Sequence, residues 1–401
     1  MASQAPGAFA GVRVIEIGDE KGDFAGRLLS GEGCDVVKVE PPGGSPSRRI
    51  GPFYQDKPDP NRSLFFWMYN RGKQGVTIDL SRPEGKALYL RLAATADVIV
   101  DAQGFGVMDG HGLGYQRVAE SNPGLVYCAI TPFGQDGPWR DFKASDLVHL
   151  ALGGGAYCIG YDPVNAVEGQ RVTEAPRWDT PPIMPQAWHA YCKAGEHASI
   201  GIAAALLWRQ ATGQGQFIDV SIHDACAQST EATVSRYIYY KMESPRRTPS
   251  QVKCSDGLYL NFMLGIPARV DLVVATLIKD GFGEGLGEPK DYSGPSPMPG
   301  RGSPAVTKAI RRWAAARPAV EAMRALQACR TIATPVYRPE DLPSDPQAIA
   351  REDFVEIEHP ELGRSFLYPR HPRRQTVTPF RWGPRAPLVG EHNAEVLGPL
   401  G

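Results

Sequence analysis

His189, Tyr191, Cys192 and Lys193 stand close together within residues 186–195, a stretch that holds no carboxylate. Side chains of these types can attack an activated carbonyl when they are ionised. A tyrosine phenol, with a reference pKa near ~10, needs an adjacent cation to do so, and Lys193 and His197 are the cations at hand. Cys192 is a second nucleophile by type, yet no partner base accompanies it, and an unpaired cysteine more often packs as a small apolar group. Asp146, in Ser145-Asp146, is the acid that could move a proton. The basic side chains beside chemistry-bearing motifs are Lys38, Arg71, Lys73 and Lys143. His189, His197 and His223 lie on different predicted elements with no carboxylate at ligand spacing, so no metal site is expected.

These residues sit on a regular alternation of elements. Residues 12–17 alternate as a strand, 24–29 read as a helix and 35–39 as the next strand, which makes a βαβ unit. The pattern recurs in strands at 75–79, 96–100 and 125–130, with a helix at 83–94 that Ser81 is expected to cap and Pro83 to open. Further helices are expected at 198–210 and 224–242, with a strand at 216–220 between them. An open, doubly wound parallel α/β sheet follows. Residues 281–304 are too dense in glycine and proline for a regular element and read as a long loop. Helices at 305–315 and 320–329 and a strand at 332–337 come next, and the tail from 352 reads as short strands and loops.

The 401 residues carry a formal net charge of −1 and 42% hydrophobic content, enough for a large core and without a basic field for nucleic acid. Seven scattered cysteines form no C-x-x-C pair, which fits a reducing, cytoplasmic setting rather than a disulfide framework. The first residues lack a basic start and an apolar core, and no apolar run approaches the ~20 residues of a membrane span, so neither export nor insertion is expected. Glycines at 18, 22 and 26 do not follow G-x-G-x-x-G, so the first βαβ unit is not expected to bind NAD.

Three separate stretches resemble the class III CoA-transferases: residues 122–138 (NPGLVYCAITPFGQDGP), 36–42 (VVKVEPP) and Gly390-Glu-His392. That family includes the formyl-CoA and carnitine CoA-transferases and the 2-methylacyl-CoA racemases. The resemblance runs from Gly11 to Leu397. It implies a large α/β domain built from both chain ends, a smaller α/β domain between, and an interlocked dimer. The expected partition is 1–225 for the N-terminal part of the large domain, 226–330 for a linker helix and the small domain, and 331–401 for the return. His392 is expected to make a structural hydrogen bond.

The resemblance also says what is missing. The family's transferases carry an aspartate nucleophile on a glycine-rich loop ahead of a helix that here opens Gly201-Ile-Ala-Ala-Ala-Leu206, and ungapped counting puts Tyr191 in its place. Its racemases use a His–Asp pair matched here by Ser145-Asp146, with a second aspartate in the same empty loop. Two-base proton exchange is therefore disfavoured. Lys73 and Lys143 match positions that contact CoA, and with Arg71 and Lys38 they are the cations expected to bind it. The turn at Gly22-Asp23-Phe24, with Asp19 and Glu20 before it, instead sets carboxylates where a polyanion would approach. The asparagine and arginines expected near residues 101–112 are absent.

The family contains two-component enzymes, such as benzylsuccinate CoA-transferase, in which one subunit lacks the aspartate. The expected role is such a non-catalytic subunit, paired with a homologous aspartate-bearing partner. CoA or an acyl-CoA would be the substrate of the complex. A homodimeric acyl-CoA enzyme of altered chemistry (lyase, hydrolase or isomerase) and a non-enzymatic binding protein are the alternatives.

Overall fold

The computed structural model describes residues 6–159, 183–185, 188–241, 251–264, 269–293 and 304–401. The described residues within Met1–Gly160, Pro181–Arg246 and Glu352–Gly401 form one compact unit, and those within Arg247–Arg351 form a second.

The first unit is built on six parallel strands: β1 (Arg13–Gly18), β2 (Asp35–Glu40), β3 (Gln74–Thr77), β4 (Val98–Ala102), β5 (Val126–Thr131) and β6 (Gln216–Ser221). Their order is β3-β2-β1-β4-β5-β6, so the direction of winding reverses between β1 and β4. Helices α1 (Glu20–Gly31), α2 (Leu64–Asn70), α3 (Pro83–Ala93), α4 (Val107–His111), α5 (Tyr115–Ala119), α6 (Asp146–Leu152), α7 (His189–Thr212), α8 (Ile222–Ala227) and α9 (Glu231–Tyr240) belong to the same unit.

Strands buried on both faces need apolar side chains on both, and the runs supply them. Val14, Val36, Val98, Val126 and Ile130 pack with α1 and α7, whereas Ile15, Val37, Ile99 and Tyr127 pack with α3 on the other face. The close seat of α1 depends on small residues. A side chain at Gly22 would strike Ala102, and one at Gly26 would overlap the Glu16 carboxylate. That packing accounts for the glycine spacing read in the sequence.

The second unit pairs β7 (Gln251–Lys253), β8 (Tyr259–Met263) and β9 (Ile332–Val336) as an antiparallel sheet beside α10 (Val270–Lys279), α11 (Pro304–Ala315) and α12 (Ala319–Ala328). Trp313, Ile310 and Val273 lie at the centre of its core. A short helix, α13 (Pro346–Arg351), closes the unit, and the hairpin of β10 (Phe354–His359) and β11 (Arg364–Pro369) returns the chain to the first.

Several expected boundaries move. Of the 226–330 stretch expected to hold a linker helix and the small domain, α9 groups with the first unit, and β9 pairs with β8, so the return falls near 352 instead of 331. Helix α3 has Arg82 at its N-cap with no side-chain cap, because the Ser81 hydroxyl donates to Asp79 at 2.6 Å. The described part of the 281–304 loop contains a 3-10 turn at Pro289–Tyr292; residues 294–303 lie outside the described residues. His392 Nδ1 accepts from the Gly75 N–H at 3.1 Å, tying the chain's end to β3.

Candidate functional site

The crevice at the carboxyl ends of β1 and β4 is where a doubly wound sheet takes its ligand. Asp19 caps α1 there, accepting from the Lys21 N–H at 3.2 Å, and the Lys21 ammonium pairs with the same carboxylate. Burial, and then Asp19, raises the pKa of Glu20. Across the crevice Asp101 accepts from Tyr127 Oη at 2.8 Å and from the Gln103 N–H at 3.0 Å, and burial pushes its pKa up to about 6. Asp19, Glu20 and Lys21 are half-buried at this edge, and Asp101 is buried beneath it.

Asp23 differs from the expectation that it also faces the ligand. It is fully buried, accepting from the Lys38 ammonium at 2.6 Å and from Asn70 Nδ2 at 2.9 Å. Burial opposes its ionisation, but Lys38 and then Lys73 outweigh that and hold the carboxyl below its usual pKa. Lys38 also pairs with Glu16 at 2.9 Å, and Lys73 pairs with Glu16 at 2.7 Å while donating to the Asp23 carbonyl and Asn70 Oδ1. Neither side chain of these two lysines has any solvent exposure. Two of the four cations singled out for CoA therefore spend their charge inside the fold. Arg71 is also buried, and only Lys143 is exposed.

Position 191 is in the first turn of α7, not on a loop, because that helix starts nine residues earlier than the sequence pattern suggests. Tyr191 is 3% exposed and stacks on Trp188 with ring centroids 5.6 Å apart. The Asp146 carboxylate supplies the cap that α7 lacks locally: its Oδ1 accepts from the Ala190 N–H at 2.8 Å and the Tyr191 N–H at 3.2 Å. Asp146 is thereby committed to a helix end. Burial raises the Tyr191 phenol well above its ordinary value, with Glu20, Asp19 and Asp146 adding to the effect. Cys192, 3.8 Å from Tyr69 Oη, is pushed up to about 11, chiefly by burial. Neither is an anionic nucleophile at neutral pH.

The family profile described as CoA-transferase family III matches residues 9–393. The chain belongs to that family. It is 29% identical to the succinyl-CoA:(R)-benzylsuccinate CoA-transferase subunit BbsE of Thauera aromatica, across 97% of this chain and 93% of the relative. It is 30% identical to the formyl-CoA:oxalate CoA-transferase of Streptomyces avermitilis, across 98% and 96% respectively. A CAIB/BAIF family protein from Brucella suis has the same fold, with a TM-score of 0.81 over 99% of this chain and 100% of that one at 24% identity.

Within this family III fold the structure adds one residue that sequence reading passed over. His149, one turn beyond Ser145 on α6, is wholly buried, and neither ring nitrogen has a hydrogen-bond partner among the described residues. Its ring lies 6.3 Å from that of Tyr191 and 5.4 Å from Phe133. Burial, then His223 and Lys21, depress its pKa to about 4, so the imidazole is neutral at physiological pH. Sequence alone gave no signal for it: Ser145 is the extended, exposed N-cap of α6, whereas His149 lies on the face that the helix buries. A cavity of about 220 Å³ opens among Leu150, Ile159, Pro185, His189, Lys193 and Cys226.

Proposed function

We propose that this chain is the nucleophile-lacking subunit of a heteromeric class III CoA-transferase. Its aspartate-bearing homologue would move CoA from an acyl-CoA such as succinyl-CoA to a carboxylic acid such as an aryl-succinate. The observation that carries this reading is Tyr191: a buried phenol with a raised pKa stands where a carboxylate would have to attack a thioester. The half-buried acids Asp19 and Glu20 and the buried Lys38 and Lys73 speak against tight CoA binding by this chain itself. The subunit designation of the Thauera relative supports a two-chain arrangement.

A partner surface is also at hand. Along the outer face of α7, Ile200, Leu207 and Trp208 are 68%, 67% and 55% exposed, an apolar stripe of the kind a second chain covers. We assign that face to the interlocked pairing. The six described cysteines are all unpaired, which supports a cytoplasmic location.

The test is co-expression with an aspartate-bearing homologue, followed by native mass measurement and a CoA-transfer assay. A one-to-one complex is expected, active together and inactive as this chain alone. CoA transfer by the purified chain alone would overturn the reading.

A further inference from the structure

Arg27 and Arg71 are two buried cations that pair with no anion among the described residues. Arg27, on α1, is 5% exposed and Arg71, just beyond α2, is 2% exposed. Among the described residues Arg71 donates from Nη2 to the Pro369 carbonyl and lies 5.3 Å from the Tyr368 ring centroid, and its Nε and Nη1 have no acceptor. Arg27 stands 5.2 Å from the Phe380 ring centroid, and its buried Nη1 has no acceptor among the described residues.

The surroundings add positive charge rather than remove it. Burial and then Arg71 push the Arg27 pKa down to about 9, and burial pushes Arg71 down to about 10. His371, stacked on Phe380 at 3.9 Å, is depressed to about 4 by burial and then by Arg373, Arg27 and Arg71. Glu32, five residues beyond Arg27 in the chain, pairs with Arg373, and Glu352 pairs with Arg370 at 3.0 Å. Buried charge without hydrogen bonds is strongly unfavourable, and two like charges together more so. A single oxyanion relieves both, since guanidinium N–H groups match the oxygens of phosphate or carboxylate.

We propose that Arg27 and Arg71 form an oxyanion site that takes a phosphate or carboxylate group. Arg27 is seven residues along α1 from Glu20, about 10 Å down the helix axis, so the site is separate from the acidic crevice. The anion is either free inorganic phosphate or the phosphate group of a CoA-type nucleotide.

Thermal melts of the full chain in chloride, in inorganic phosphate and in CoA, at matched ionic strength, separate these cases. Phosphate at about tenfold its dissociation constant should raise Tm by roughly 2 °C or more. A response to CoA alone would identify the nucleotide as the source. Arg27→Met should melt no lower than wild type in chloride, because it removes an uncompensated charge, and should lose the anion response. If Arg27→Met does not fold, Arg71→Leu must lose the response for the site to stand. Equal melts in all three anions, or an anion response that survives the substitution, would overturn the proposal.

Discussion

The Asp146 carboxylate accepts a hydrogen bond from the backbone N–H of Tyr191 at 3.2 Å, so the first turn of α6 is tied to the first turn of α7. The same oxygen also takes the Ala190 N–H at 2.8 Å. Asp146 satisfies two orphan donors at the start of a 24-residue helix and meets its negative charge with the positive end of the helix dipole.

Removing that cap should cost stability. Asp146→Ala should lose about 1–2 kcal/mol in urea unfolding, whereas Asp146→Asn, which keeps an acceptor oxygen, should lose about half as much or less. Equal losses would show that charge, rather than the hydrogen bonds, is what α7 needs there.

Tyr191→Asp should not create a transferase. The new carboxylate would be buried against Trp188 with Asp146, Glu20 and Asp19 around it, an environment that keeps it protonated. Mass spectrometry after incubation with succinyl-CoA should find no covalent adduct, and a stoichiometric one would refute this account of the crevice.

His149 should make the fold acid-sensitive. A histidine with a folded-state pKa of about 4 and an unfolded value near ~6.5 binds its proton more readily when unfolded. Its neutral form is compatible with the fold above pH ~6.5, and stability falls as pH drops from there toward 4, by at most roughly 3 kcal/mol. His149→Gln should flatten that part of the stability profile. An unchanged acid slope would mean another group is responsible.

Lys38→Met should be severely destabilising, on the order of 3–5 kcal/mol, since it strands Asp23 and one oxygen of Glu16 in the core without their counter-ion. Denaturant unfolding measures this directly. A loss below about 1 kcal/mol would show that solvent reaches the cluster.

The α/β alternation was legible from residue types because a buried strand must be apolar on both faces, and β1, β2, β4 and β5 are written as such runs. The absence of an acid at position 191 was equally plain, since counting from Gly201 needs no coordinates. Even the ion cluster left a trace: Glu16 and Lys38 are charged residues inside apolar strands, and the parallel register sets them side by side. Their pairing, however, depends on how β1 lies against β2 and on α1 bringing Asp23 over both, which are long-range contacts that local sequence does not encode. The same holds for His149, for the Asp146 cap on a helix over forty residues away, and for the Ser30–Gly72 hydrogen bond that brings the Arg27 end of α1 to the chain beside Arg71. Local pattern determined which elements form; whether a lysine meets a ligand or a buried glutamate was decided by packing, because burial and distance set its charge environment only once the chain is folded.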